Sequence, residues 1–66
     1  MNTKRVYIKD LNANDVFTLP GERTEYVCES RRQDGMWTRI DYRVKGGDLR
    51  STFTRTSLST ADLFTD

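Results

Sequence analysis

Two turn-forming dipeptides, Asp34-Gly35 and Gly46-Gly47, stand twelve residues apart and enclose a segment in which apolar and polar residues alternate. That arrangement constrains the fold more than any other feature of the chain. Asp-Gly and Gly-Gly favour tight hairpin turns because both central residues reach positive φ. Between them, Met36, Thr38, Ile40, Tyr42 and Val44 fall on one side of an extended chain and Trp37, Arg39, Asp41 and Arg43 on the other. This is the period of two of a half-buried strand, with the first set facing the core. A strand bounded by hairpin turns has an antiparallel neighbour on each side, so the middle of the chain reads as a three-stranded meander.

The flanking segments continue the pattern. Residues 25–31 place Tyr26, Cys28 and Ser30 on one face and Val27 and Glu29 on the other. Both faces carry an apolar residue, and Tyr26 and Cys28 are the expected inward pair. Downstream, Leu49, Ser51 and Phe53 alternate with Arg50, Thr52 and Thr54, so Leu49 and Phe53 are expected to join Ile40 and Tyr42. Two further strands are predicted over residues 5–9, around Val6-Tyr7-Ile8, and 15–19, around Val16-Phe17. Residues 10–14 make the turn between them, with Leu11 as an apolar plug for one end of the fold. At Pro20-Gly21 proline fixes φ and glycine takes the positive φ that follows. Near the C-terminus, Leu58 and Leu63-Phe64 flank Ser59-Thr60-Ala61-Asp62, which fits either one helical turn or a short closing strand.

A chain of 66 residues supports a single domain over residues 1–66, one that buries only about 60% of the surface its unfolded form exposes. Hydrophobic residues at 35%, charged residues at 32% and seven aromatics place it among thin-cored globular domains and not among disordered chains. Five or six short strands do not fill two sheets, and an open flat sheet leaves edges that invite association. A small barrel answers both constraints. The expected fold class is therefore all-β: a five- or six-stranded SH3-like barrel with a central antiparallel meander. An OB-fold is usually longer and carries a helix before its fourth strand.

Several chemistries are poorly served by this composition. Histidine is absent and Cys28 is the single cysteine. No intrachain disulfide framework is available, and a reducing cytoplasm is the expected compartment. A zinc site would have carboxylates alone as ligands, so neither metal nor cofactor is expected. No apolar run approaches the roughly 20 residues of a membrane span, and Met1-Asn2-Thr3-Lys4-Arg5 lacks the apolar run of a signal peptide. No membrane partner and no processing are expected. Acid–base catalysis would fall to carboxylates, tyrosine or lysine, and no Asp/Glu pair has a distinguishing spacing. Cys28 as a nucleophile would need a base or a cation beside it; in mid-strand it reads as a small buried hydrophobe. Gly46-Gly47 lacks the spacing and the lysine-serine of a P-loop. The chain is expected to be a binding module and not an enzyme.

The segment Asp10-Leu11-Asn12-Ala13-Asn14-Asp15-Val16-Phe17, followed by Tyr26-Val27-Cys28-Glu29-Ser30, resembles the opening of the SH3-like, KOW-type N-terminal domain of translation elongation factor P and related barrels. Those run as a leucine, a short turn usually ending in glycine-aspartate, valine-phenylalanine, a second turn and a tyrosine-valine strand. Asn14 stands where that family usually has glycine, and asparagine also adopts positive φ. The resemblance covers about twenty residues and implies a fold. In size and style the chain is also similar to the small orphan proteins of bacteriophages and mobile elements.

The net charge of +1 conceals a segregation. Residues 1–9 carry +3, residues 10–30 carry −4, residues 31–55 carry +4 and residues 56–66 carry −2. The meander is the basic part. Trp37, Arg39 and Arg43 share the outward face of its central strand, with Arg50 expected beside them on the next strand. Arginines contact phosphates and an exposed tryptophan stacks on an unpaired base, so these four residues are a candidate nucleic-acid surface. The same tryptophan among arginines is the composition of a protein–protein hot spot, and an exposed strand edge can add a partner's strand. A phage-type module that modulates a host protein fits this second reading, and self-association stays open. A third reading is a solvated sheet face, with the arginines paired to Asp41 and Glu29 and Trp37 packed beneath them.

Overall fold

The computed structural model describes residues 2–65. Six strands follow one another: β1 (Thr3–Tyr7), β2 (Val16–Thr18), β3 (Tyr26–Asp34), β4 (Trp37–Val44), β5 (Arg50–Thr56) and β6 (Thr60–Phe64), with a single 3-10 turn at Ile8–Asp10. They form one antiparallel sheet in the order β1-β6-β2-β3-β4-β5. The fold is all-β and the meander is β3-β4-β5. The ladder ends at β1 and β5, so the sheet does not close into a hydrogen-bonded barrel.

The sheet is nevertheless strongly curled. β2 and β5 are three strand spacings apart, roughly 14 Å across a flat sheet. Phe17 of β2 and Phe53 of β5 bring their ring centroids to 6.5 Å. Tyr26 and Tyr42 complete the group, at 5.7 Å from Phe17 to Tyr26, 5.0 Å from Tyr26 to Tyr42 and 5.2 Å from Tyr42 to Phe53. Around these rings lie the buried Ile8, Leu11, Leu19, Cys28, Ile40 and Ala61. Thr38 is buried with them and shares a 2.9 Å hydrogen bond with the buried Ser57, so neither hydroxyl is left unpaired.

The inward face of β4 is the expected one at Thr38, Ile40 and Tyr42, and Tyr26, Cys28 and Phe53 also face the core. The ends of the meander differ from expectation. The two-residue turn joining β3 to β4 is Gly35-Met36, because Asp34 pairs with Trp37. Only Gly35 takes positive φ, at 61°, as a type II′ turn requires. Met36 thus belongs to the turn and is 71% exposed, and Val44 at the far end is also exposed. Leu49 does not join the core: β5 begins one residue later, and Leu49 sits in the loop at 85% exposure. β1 stops at Tyr7 because Ile8 and Leu11 turn inward together, the Leu11 amide donating to the Ile8 carbonyl at 3.2 Å. The three-residue spacing of a 3-10 turn stacks both side chains into the end of the core, so Leu11 is the expected plug. Residues 60–64 are a strand and not a helical turn.

One irregularity redistributes side chains between the faces. Cys28 pairs with Tyr42 and Ser30 with Asp41, so Glu29 is an extra residue, a β-bulge. Beyond it the alternation of β3 inverts. Ser30, expected inward with Cys28, lies outward opposite Asp41, and Arg31 turns inward opposite Ile40. There the Arg31 guanidinium donates through Nη1 to the Lys9 carbonyl, tying β3 to the 3-10 turn.

Ile40→Ala should cost about 2–5 kcal/mol as a fully buried truncation, whereas Leu49→Ala should change stability by no more than about 0.5 kcal/mol. Urea unfolding followed by tyrosine and tryptophan fluorescence measures both.

Candidate functional site

The outward face of the meander is built by register. On β4 it presents Trp37, Arg39, Asp41 and Arg43; on β5, Thr56, Thr54, Thr52 and Arg50 stand opposite them in that order. On β3, Asp34, Arg32 and Ser30 stand opposite Trp37, Arg39 and Asp41. Arg32 reaches this face only because of the bulge. Two arginine pairs therefore sit directly across from each other, Arg32 with Arg39 and Arg43 with Arg50. Like charges so placed repel.

Two carboxylates moderate the repulsion. Glu29, swung outward in the bulge, has Oε1 at 3.4 Å from Nε of Arg43 and 3.2 Å from Nε of Arg50. That oxygen is closed off from solvent and makes no hydrogen bond, so charge alone holds it. One carboxylate between two guanidiniums leaves a positive charge over. Asp41 is the better-connected acid: it accepts from Ser30 Oγ at 2.7 Å and Thr52 Oγ1 at 2.6 Å, and pairs with Arg39 Nε at 3.4 Å. The two hydroxyl bonds, helped by the Arg39 charge, hold its carboxyl below the ordinary range. Asp41 thus laces all three strands of the meander. Among the described residues, Arg32 makes no ion pair, and the terminal Nη groups of Arg39, Arg43 and Arg50 make no hydrogen bond.

The four residues singled out from the sequence do share this face, but as a strip and not a cluster. Arg43 and Arg50 meet over Glu29. Arg39 lies four residues along β4 from Arg43, roughly 13 Å, and Trp37 closes the strip at its far end. Trp37 is 50% exposed, and its direct neighbours are Asp34 and Thr56. Among the described residues it stacks on no ring and no cation lies over it. It is not packed beneath the arginines. The ion pairs to Asp41 and Glu29 expected of a solvated face are present; the buried tryptophan expected of it is not.

The comparisons with protein-family models, with curated proteins and with solved structures found no match.

Two features of the site escaped the sequence. Arg32 was hidden by the bulge, although the loss of alternation over Ser30-Arg31-Arg32-Gln33-Asp34 is its trace. The other is apolar. The Ser57 amide donates to the Met36 carbonyl at 2.7 Å, which sets the turn of Leu58 beside that of Met36. Met36, Trp37 and the 67%-exposed Leu58 therefore gather at one end of the meander. Among the described residues no group of three or more metal-ligating side chains occurs, and no helix is long and apolar enough to cross a membrane. Cys28 lies on the opposite, inner face, where burial, with Asp15 nearby, pushes its thiol up to about 11. A neutral, enclosed thiol is a packing group.

Two outcomes check these assignments. A depressed carboxyl stabilises the fold above the ordinary carboxylate pKa of about 4, and loses that contribution as pH falls through its lower folded value. Asp41→Asn should therefore lower the urea midpoint at pH 7, and the gap to the parent protein should narrow as the pH falls below the ordinary carboxylate range. A gap that does not narrow on acidification would remove Asp41 as the source. A disulfide reagent should label native Cys28 only at the rate of global opening, more than about a hundredfold slower than in urea; prompt labelling would place the thiol at the surface.

Proposed function

We propose that the protein is a non-enzymatic binding module that holds single-stranded nucleic acid on the outer face of its meander. The observation that carries this reading is the pair of in-register arginine couples, Arg32/Arg39 and Arg43/Arg50, whose ion pairs among the described residues go to two carboxylates, Asp41 and Glu29, on a face that ends at an unstacked tryptophan. Like-charge couples weaken a sheet unless an anion joins them, and a phosphate backbone is such an anion. Free Nη groups on Arg39, Arg43 and Arg50 would donate to phosphate oxygens, and the Trp37 ring would stack on one base.

The scaffold reading that accompanies it is an SH3-like small barrel. The return of β6 beside β2, the tight curl and the plugged end support it. The resemblance to the N-terminal domain of elongation factor P gains support from Asn14, whose φ of 74° is the conformation glycine would take at that turn.

A second reading is favoured by a different observation, the gathering of Met36, Trp37 and Leu58. An exposed apolar group of this kind, with Arg32 and Arg39 farther along the same face, also suits a protein partner, as in a phage- or mobile-element-type module that modulates a host protein.

Fluorescence anisotropy with short labelled oligonucleotides separates the two. Three or four phosphate contacts at a slope near −0.7 each should weaken binding roughly 20- to 50-fold between about 50 and 200 mM salt. Trp37→Ala should cost about 1–3 kcal/mol of affinity, and Arg32→Ala or Arg39→Ala should flatten the salt slope by about 0.7 each. Absence of binding at the low-salt end to both DNA and RNA would dispose of the nucleic-acid reading. A protein partner would instead be lost on Leu58→Ser with the salt slope unchanged.

A further inference from the structure

β5 is an open edge with unusually little protection. It runs seven residues, Arg50–Thr56, pairs among the described residues with β4 alone, and has no register shift along that pairing. It contains neither proline nor glycine. Short length, bulges, proline, a cover or charge are the usual ways an edge is blunted, and β5 has only charge. That charge is of one sign: Arg50 and Arg55, with no carboxylate on the strand.

The backbone groups on offer follow from the ladder. The Ser57 amide bonds to the Met36 carbonyl, and hydrogen-bonded pairs recur every second residue. Arg55, Phe53 and Ser51 therefore point their amides and carbonyls at β4, while Thr56, Thr54, Thr52 and Arg50 point theirs outward. The flanking side chains differ by face. Arg50 lies on the outer face at 3.2 Å from the already shared Glu29, and Arg55 on the inner face, its guanidinium carbon 5.3 Å from the Phe53 ring centroid.

A second copy fits this edge badly. The other open edge, β1, carries Lys4 and Arg5 and no acid, so every edge-to-edge pairing of two copies sets basic strand against basic strand.

We propose that the open edge of β5 is a docking edge for an acidic, extended segment of a partner protein, added antiparallel as a seventh strand. The register specifies its pattern: an acidic residue opposite Arg55, an apolar residue two places on, opposite Phe53, and an acidic residue five places on, opposite Arg50. The odd spacing sends the two acids to opposite faces, as the arginines require. This inference rests on the edge of β5 and is independent of what the outer face holds.

The test uses the full chain, labelled with nitrogen-15, and a capped peptide Glu-Thr-Val-Thr-Val-Glu. Binding should slow hydrogen exchange at the amides of Thr52, Thr54 and Thr56 by about tenfold or more, and the peptide with Gln in place of Glu should bind about three- to tenfold more weakly. Thr54→Pro deletes an outward amide and no native ladder bond, and should abolish binding. If that variant does not fold, backbone N-methylation of the peptide applies the same block from the other side. Unchanged exchange at the three amides, equal binding of the Gln peptide, or equal binding of the N-methylated peptide would each overturn the proposal. Tighter binding of a peptide copying β5 would assign the edge to a second copy instead, and overturn the acidic partner.

Discussion

Four aromatic rings from four successive positions in the sheet, Phe17, Tyr26, Tyr42 and Phe53, touch one another in a closed circuit. In a chain this small there is no second layer to cover a sheet, so the sheet must cover itself. The rings make that geometry favourable, each contact contributing about 0.5–1.5 kcal/mol beyond its buried area. The curl they impose lets a 3-10 turn and Leu11 seal one end, and it makes the opposite face convex. Tyr26 also donates from its phenol to Glu22 at 2.5 Å, which raises its pKa and pins the loop between β2 and β3 to the same circuit.

The convex face depends on the circuit for its shape and on two acids for its tolerance of charge. Asp41 and Glu29 have different roles. Asp41 accepts hydrogen bonds on both oxygens and links three strands, whereas Glu29 is half-buried, with one oxygen closed off from solvent and unbonded between guanidiniums. A group satisfied by its neighbours has little to gain from a ligand. A pair of arginines sharing one acid has more, which places the responsive end of the strip at Arg43 and Arg50 and the apolar end at Trp37.

Much of this was legible in the sequence because side-chain alternation is a physical consequence of the pleat. Wherever alternation was unbroken, at Thr38, Ile40 and Tyr42 or at Ser51 and Phe53, the faces came out as expected. It misled where a strand ended early or gained a residue. Leu49 kept the right parity for the core but lay outside β5, and parity means nothing in a loop. Met36 was absorbed by a turn whose positive φ falls on Gly35 alone. Ile8 looked like a continuation of β1 because burial every third residue in a 3-10 turn cannot be told from strand burial over so short a span. The site was read in the same way: Trp37, Arg39, Arg43 and Arg50 share a face because parity is reliable, but their spread along it and the arrival of Arg32 depend on register, which composition does not carry.

The bulge at Glu29 gives the chain an asymmetry in how it tolerates change of length. Loss of Glu29 would restore strict pairing between β3 and β4 and leave Ser30, Arg31 and Arg32 on the faces they already hold, opposite Asp41, Ile40 and Arg39, because a bulge carries one residue more than the ladder uses. What would go is the carboxylate that Arg43 and Arg50 share, and with it the acid that lets that arginine couple stand in register. Deletions in the Gly46–Leu49 loop carry no such penalty, since among the described residues none of the four pairs with an arginine of the outer face. Length variation in any descendants of this chain should accumulate in that loop and spare the bulge, so a pattern of gaps would report on this architecture even where residue identities had drifted.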